Sequence, residues 1–488
     1  MAQIKVEGLS FQYPGSEDMI FENVSFAIDT DWKLGFIGRN GRGKTTFLNI
    51  LKNRPEYAGE ISGNAALEYF PFEVEDSADN VIGVIEKVDP DYELWRVQRE
   101  LSLLRVNEEI LYRPFKTLSG GEQTKLLLSI LFAKENRFLL IDEPTNHLDL
   151  EGRERMAAYL KAKKGFIVVS HDRRFLDACV DHVLSINRAN IEVMQGNFTT
   201  WWENKENRER YENSENERLK KDISRLEETS KQTKVWAEKV EKSKIGSGAA
   251  DRGFIGHKAA KMMQRSKNAA ARVEKAIEEK GGLLHNVEVQ SDLKLFPMKH
   301  HASTVVAAHD LTVAYGDKQI IEDLTFELRQ GEVISLSGKN GSGKSSLIKL
   351  IMGEEVPHTG MLRLASGLKI SYIPQDSSGL CGSLEEFIRQ SEIDPTLFMT
   401  VLRKFDLKRT QFSKELSTFS AGQKKKVYLA KSLCEQAHLY IWDEPMNYID
   451  IFSRMQIEKL ILAYRPTMLL VEHDKLFTEQ VASRIISL

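Results

Sequence analysis

Cysteine is almost missing from this chain. Cys179, Cys381 and Cys434 are the three in 488 residues, they lie far apart, and none forms a CxxC pair. That excludes a disulfide framework and a thiolate metal site, and the three read as reduced, buried thiols. Long apolar runs are missing too. No uninterrupted stretch approaches the roughly 18 to 20 residues that cross a bilayer, and the opening MAQIKVEGLS lacks the basic-then-apolar pattern of a signal peptide. A cytoplasmic protein with no membrane segment is expected. The formal net charge of -3 argues against a uniformly basic nucleic-acid binder, although a whole-chain sum conceals a local excess. What is present is globular composition, 41% hydrophobic and 28% charged, in a chain too long for one ordinary core. Two or three domains follow.

A repeat organises them. GRNGRGKTT begins at Gly38 and GKNGSGKSS at Gly338; LSGGEQ begins at Leu118 and TFSAGQ at Thr418; FLLIDEPTNHLD ends at Asp149 and LYIWDEPMNYID at Asp450. Lys44 and Lys344, Asp142 and Asp443, and His171 and His473 are separated by 300, 301 and 302 positions, so two copies of one domain are present. The first is expected over 1–198 and the second over 300–488. FLLID (138–142), FIVVS (166–170), VISLS (333–337) and MLLVE (468–472) read as strands buried on both faces, with helical patterns between them. An α/β layer architecture with a mainly parallel sheet is predicted.

Between the copies lies a different segment, 199–299, in which Glu203 to Glu241 contains neither glycine nor proline and is dense in Glu, Lys, Arg and Asn. A long exposed helix of about 40 residues, some 60 Å, is predicted. Leu219, Ile223, Leu226, Ala237 and Val240 form the seam of a two-helix coiled coil. KIGSGAADRGFIG (244–256), with four glycines, breaks the helix; a second arm from about His257 to Lys280 carries Ala270, Val273 and Ile277 on one face. Lys231 to Lys275 holds 12 basic and 4 acidic residues, leaving -11 on the rest of the protein. The positive field is concentrated at the hairpin tip, as suits a probe of polyphosphate. A solvated spacer is the alternative. Phe254, Ile255, Met262 and Met263 sit among basic residues there, suited either to stacking on unpaired bases or to packing against the opposite helix.

Each glycine loop has the spacing G-x-x-x-x-G-K-[ST], after an apolar strand and before a helical pattern. The backbone around Gly38, Asn40, Gly41 and Gly43, and around Gly338, Asn340, Gly341 and Gly343, forms a phosphate cradle that continues into Thr46 and Ser346. Lys44 and Lys344 are expected to reach the terminal phosphates, and Thr45 and Ser345 to coordinate Mg²⁺. Asp142 and Asp443 suit a supporting Mg²⁺ role, and Glu143 and Glu444 are placed to polarise an attacking water. His171 and His473 are candidate γ-phosphate contacts. Tyr13 and Tyr315 either stack on adenine or are ordinary core aromatics.

At LSGGEQ the sequence resembles the signature of ATP-binding cassette ATPases, and two cassettes in one chain are similar to the ABC-F subfamily along essentially the whole length. The resemblance implies an α/β fold of two tandem ATP-binding cassette domains joined by a long α-helical hairpin linker. It implies an ATP hydrolase using ATP and Mg²⁺, monomeric, with its cassettes paired head to tail. Site one then joins Lys44, Thr45, Asp142, Glu143 and His171 to Ser420, Gly422 and Gln423. Site two joins Lys344, Ser345, Gln375, Asp443, Glu444 and His473 to Ser119, Gly120, Gly121 and Gln123, with Gln375 as a further Mg²⁺ ligand. The segment DRGFIGHKAAKMMQRSK (251–267) is similar to the linker tip of Lsa-type antibiotic-resistance members, which protect the ribosome against lincosamides, streptogramin A compounds and pleuromutilins. By that resemblance the tip, about 242–262, enters the bacterial 70S ribosome through the tRNA exit site. Lys242, Lys244, Arg252, Phe254, Ile255, His257, Lys258 and Lys261 then approach 23S rRNA near the peptidyl-transferase centre and P-site tRNA.

Two departures fall on site one: Phe72 stands where the second copy has Gln375, and Ala421 where the first signature has Gly120. Phenylalanine cannot ligate Mg²⁺ or orient water, and a methyl group crowds backbone that must approach phosphate, so site two is expected to turn over faster. A housekeeping translation factor of the same subfamily is the nearer alternative. It is disfavoured by the near-equal 81- and 82-residue spans from Gly38 to Ser119 and from Gly338 to Ser420, which leave no inserted arm, and by the fifteen residues after His473, which leave no room for an extension. The ATPase half of a drug exporter is the remote alternative.

Overall fold

A computed structural model describes residues 3–14, 19–53, 55–74, 79–146, 148–187, 190–242, 264, 268, 271, 273, 275, 293–316, 318–339, 341–407 and 409–488. The chain divides into two units, Met1–Trp201 with Ser291–Leu488, and Trp202–Gln290.

In the first unit each repeat builds the same pair of sheets. The apolar runs form parallel strands with both faces covered, as their lack of alternation predicts. In the first cassette the order is Ala66–Phe70, Arg137–Asp142, Phe166–Val169, Lys33–Ile37, His182–Asn187 and Asn190–Gln195, the last strand antiparallel. In the second it is Ile370–Ile373, Leu439–Asp443, Met468–Val471, Val333–Ser337 and Arg484–Ser487, all parallel. Each glycine loop leaves a central strand, where ligands of open α/β sheets collect beyond the carboxyl ends. An antiparallel three-stranded sheet caps each cassette, Met19–Asp29, Gln3–Gln12 and Ala58–Ser62 in one, Lys318–Arg329, Thr304–Tyr315 and His358–Leu364 in the other.

The cores sit between these sheets and the helices after the glycine loops. In the first cassette Phe47 is fully buried with Phe21 and Phe36, its ring edge-on to both at 6.1 and 5.6 Å. In the second, Leu347 and Ile348 of that helix are buried with Phe326 and Leu336, while Trp442 and Tyr440, on alternate positions of one strand, are fully buried in a separate core with Val427 and Ile457. The second cassette's packing begins ahead of residue 300: Leu293 and Leu295 lie in its core, and Phe296–Pro297 pairs in parallel with Gln436–Ala437. Of the cysteines, Cys179 is buried as expected, but Cys381 is exposed and Cys434 half-buried. The sequence expectation failed at Cys381 because it lies in the irregular segment before Leu384–Gln390, outside any apolar period.

The second unit is helical where it is described. The helix Phe198–Lys242 is 45 residues long, begins in the first unit, and is supported by exposed pairs one turn apart such as Lys205–Glu209 at 2.9 Å and Glu206–Arg210 at 3.1 Å. Leu219, Ile223 and Leu226 are half-buried in a helix whose other positions nearby are mostly exposed, in keeping with one apolar stripe. The side chains of Ala237, Val240 and Lys242 lie outside the described residues. Gln264, Asn268, Ala271, Val273 and Lys275 are helical. Ala270, Ile277, and the tip residues Lys244, Arg252, Phe254, Ile255, His257, Lys258 and Lys261 lie outside the described residues. No helix among the described residues is long and apolar enough to cross a membrane.

Candidate functional site

Both glycine loops close on a left-handed residue directly before a helix, Gly43 and Gly343, each with φ of 95°. A side chain there would be strained and would meet Ile20 at 2.5 Å or Ile321 at 2.6 Å, so glycine is required at both. The buried Lys44 Nζ donates to the carbonyls of Gly38 (2.7 Å) and Arg39 (3.3 Å) and to Asn40 Oδ1 (3.4 Å); Lys344 Nζ donates to those of Gly338 (2.8 Å) and Lys339 (2.9 Å). Each ammonium is therefore folded back over its own loop. Burial lowers the pKa of both lysines, against nearby carboxylates that raise it.

Two cavities lie where the cassettes face each other, and each draws on both repeats. A cavity of 610 Å³ brings Tyr13, Asn40, Gly41, Gly43, Lys44, Thr45, Thr46, Asp142, Glu143 and His171 of the first cassette against Ser420, Ala421, Gly422 and Gln423 of the second. A cavity of 750 Å³ brings Ser119, Gly120 and Gly121 against Lys339, Gln375, Glu444 and His473. Gly341, Gly343, Lys344, Ser345, Ser346, Tyr315 and Asp443 are not on the lining of the second cavity, and Gly38 and Gly338 are on neither. Asn340 lies outside the described residues.

The chemistry at the two strand ends differs. In both, the glutamate sits in a left-handed turn, φ 51° at Glu143 and 48° at Glu444, and its amide bonds back to the neighbouring strand at Val169 or Val471, 2.9 Å in each case. In the first cavity Thr45 Oγ1 and Tyr69 Oη donate to Asp142 Oδ2 at 2.9 and 3.1 Å. Among the described residues no hydrogen bond reaches the buried Glu143 Oε1; His171 Nε2 is 3.2 Å away but not aligned to share a proton. Burial, and then Asp142, push Glu143 up to about 8, and burial holds His171 well below its usual value. In the second cavity Glu444 is fully engaged: Oε1 accepts from Gln375 Nε2 at 2.8 Å, Oε2 from Asn447 Nδ2 at 2.7 Å, and His473 Nε2 lies 3.3 Å off. Burial works against the charge, but these partners win and hold Glu444 down to about 2. Asp443 is pushed up to about 6 by burial and then by Glu444. The contrast comes from His473, Gln375 and Asn447 acting together on Glu444, and Phe72, which stands where Gln375 does, offers no donor.

These residues fit a nucleotide with its metal. The orphaned Glu143 Oε1 is an acceptor awaiting a proton donor, such as a water, and the Thr45 hydroxyl beside Asp142 is a hard-oxygen set of the kind Mg²⁺ takes. Thr45, Asp142, Ser345, Gln375 and Asp443 are the residues that would hold Mg²⁺, which when bound neutralises phosphate charge. With a nucleotide bound, Glu143 and Glu444 would be the groups to take a proton from water, and the loop amides and lysines those to bind phosphate.

Several sequence expectations are corrected. Gln123 does not face the cavity: its Nε2 donates to the carbonyls of Phe115 (3.4 Å) and Leu118 (3.2 Å). Capping boxes pair Ser119 with Glu122 and Ser420 with Gln423, so Gln423 corresponds to Glu122 and caps its own helix. Tyr13 and Tyr315 are not core aromatics. They are 47% and 46% exposed, with hydroxyls bonded to Thr46 (2.9 Å) and Ser346 (3.2 Å). Asp406, Gln411, Lys426 and Tyr448 line the first cavity, and Asn146, Asp149, Lys425 and Asn447 the second, without having been singled out. The repeated PTN and PMN triplets were a legible signal for Asn146 and Asn447; nothing in the sequence pointed to Asp406 or Gln411.

A sheet with a phosphate loop on its central strand, duplicated so that each cavity needs both copies, defines an ATP hydrolase with two nucleotide-binding cassettes. The ABC transporter family matches residues 21–146 and 321–447, and the chain belongs to that family. End-to-end relatives support the ABC-F subfamily within it. ATP-binding protein Uup of Buchnera aphidicola is 27% identical, covering 99% of this chain and 80% of its own. Ribosome protection protein VmlR of Bacillus subtilis is 25% identical, covering 96% and 84%. Energy-dependent translational throttle protein EttA of Escherichia coli is 25% identical, covering 96% and 89%. Among solved structures, the complex of an archaeal ribosomal stalk protein with the recycling factor aABCE1 superposes with a TM-score of 0.63 at 20% identity, covering 98% of this chain and 87% of that one, and shares the fold.

Proposed function

We propose that this chain is a ribosome-binding dual ATPase that protects the bacterial 70S ribosome from drugs acting at the peptidyl-transferase centre. ATP held between the cassettes closes them, the basic linker enters through the tRNA exit site toward 23S rRNA and P-site tRNA, and hydrolysis releases the protein. Glu143 and Glu444 act as general bases, with His171 and His473 on the γ-phosphate. The observation that carries the reading is the pair of cavities that neither cassette completes alone, in a chain whose relatives include a ribosome protection protein over 84% of that protein's length. The local charge of the linker supports an RNA partner.

A translation factor regulating the ribosome is the second reading, favoured by the match to EttA over 89% of its length at the same identity. In vitro translation with lincomycin or tiamulin separates the two, since rescue by added protein supports protection and unchanged inhibition supports regulation. Co-sedimentation of the Glu143→Gln, Glu444→Gln double variant with 70S particles tests the partner itself. No ATP-dependent attachment would overturn both readings.

A further inference from the structure

The second cassette buries a lysine that belongs to neither glycine loop. Lys425 is 2% exposed, and among the described residues no carboxylate lies within ion-pair distance of it. Its Nζ donates instead to three backbone carbonyls: Pro374 at 2.8 Å, Gln375 at 3.3 Å and Asp443 at 3.1 Å. An ammonium has three protons, so all are committed. The carbonyls come from two segments, the loop that presents Gln375 and the strand end that presents Asp443 and Glu444. One residue earlier, Lys424 Nζ holds the same loop further along, at the Ser378 carbonyl, 3.1 Å.

The position of Lys425 on its helix gives this brace a direction. The helix Ala421–Cys434 begins with the residues that face the first cavity, Ser420 to Gln423, and little more than a turn later Lys425 lines the second. One rigid element thus connects the signature of one nucleotide site to the water-activating groups of the other. The first cassette has no counterpart. Its matched capping box places Thr124 where Lys425 stands and Gln123 where Lys424 stands. Gln123 spends its amide on its own preceding loop, and among the described residues no hydrogen bond of Thr124 reaches Pro71 or Phe72. A threonine side chain is several bonds shorter than a lysine and supplies one donor against three.

We propose that Lys425 is a positioning residue for ATP hydrolysis, through which the helix carrying the first site's signature holds Gln375 and Glu444 of the second site in working geometry, in one direction only. The proposal rests on the assignment of Glu143 and Glu444 to separate sites and deepens it. Lys425 touches no reacting atom. It fixes the loop whose glutamine amide lies 2.8 Å from Glu444.

The test uses the full chain in two backgrounds, Glu143→Gln, where turnover reports the second site, and Glu444→Gln, where it reports the first. Lys425→Met should lower kcat at the second site at least tenfold while KM for ATP moves less than threefold, and should leave the first site within twofold. Lys425→Arg, which retains charge and donors, should restore the second site to within about threefold, a rescue that general damage to folding would not give. Thr124→Ala should leave first-site turnover unchanged. Equal losses at both sites, a loss confined to KM, or an unaffected second site would each overturn the proposal. If Glu143→Gln and Glu444→Gln with Lys425 intact leave ATPase activity undiminished, the site assignment fails and the proposal falls with it. Because Lys425→Met strands three buried carbonyls, its thermal midpoint is measured beside Lys425→Arg, and only the second-site deficit that Arg rescues counts as support.

Discussion

The cassettes are joined unequally at their two cavities, and Asp406→Ala tests what that asymmetry does. Arg39, in the first glycine loop, reaches across to Asp406 of the second cassette with Nη1 3.1 Å from Oδ2, and its guanidinium lies 5.8 Å above the Phe452 ring. Beside it Asn40 Nδ2 donates to the Tyr448 carbonyl at 2.8 Å. At the matching positions of the other cavity stand Lys339 and Arg105, the latter left-handed at φ 51° as Asp406 is at 59°. Two cations cannot form that pair. The Arg39 and Asp406 side chains are 13% and 30% exposed, between the exposed pairs worth about 0.2–1 kcal/mol and the buried ones whose breakage costs about 3–5. Removing Asp406 should therefore cost about 1–2 kcal/mol, roughly five- to thirtyfold in affinity. The assay is equilibrium ATP binding in a chain carrying Lys344→Ala, so that the signal comes from the first cavity. At about 0.1 M salt Asp406→Ala should bind that much more weakly, and near 1 M, where the Debye length falls to about 3 Å, the difference should shrink. Arg105→Ala should show no loss. Unchanged affinity at low salt, or a deficit indifferent to salt, would refute the reasoning.

Three further outcomes are expected. Single-turnover rates should be higher in Glu143→Gln than in Glu444→Gln, because His473, Gln375 and Asn447 hold Glu444 ionised, while no hydrogen bond among the described residues reaches Glu143 Oε1; equal rates would count against this. Phe47→Ala empties the centre of the first cassette's aromatic cluster and should cost about 3–5 kcal/mol in urea unfolding. Glu100 is fully buried among Lys163, Tyr159 at 2.7 Å and Arg99 at 2.9 Å. Burial pushes its pKa up, but these partners win and hold it below the ordinary 4.5. A lowered carboxylate stabilises the fold above its unfolded value and loses that contribution as pH falls through the folded one. Glu100→Gln should then cost roughly 3 kcal/mol at pH 7, with the gap to the parent narrowing below about pH 4.5. A constant gap from pH 7 to 3.5 would contradict it.

Much of the architecture was legible because it depends on periodicity and local chain geometry. The doubly buried strands announced themselves as unbroken apolar runs, the phosphate loops by glycines that only left-handed backbone demands, and the long helix by the absence of glycine and proline from Glu203 to Glu241. The pairing of each loop with the opposite signature came from family resemblance; the cavities now give it atoms. Tyr13 and Tyr315 stood undecided between core and surface because aromaticity alone carries no burial, and Gln123 was misplaced because a motif letter does not say which way a side chain turns.

Sequence alone determined the duplicated α/β cassettes, the glycine loops, the strand-end acids and the charged connection between the copies, since each is written in residues close together along the chain. Only the tertiary structure decided that Glu444 is hydrogen-bonded while no bond among the described residues reaches Glu143 Oε1, that Lys425 braces one site from the helix of the other, and that Arg39 finds Asp406. Apart from the Asn447 bond to Glu444, those contacts join residues tens to hundreds of positions apart, and no local pattern encodes which buried charge will meet which acceptor once the sheets and helices have packed.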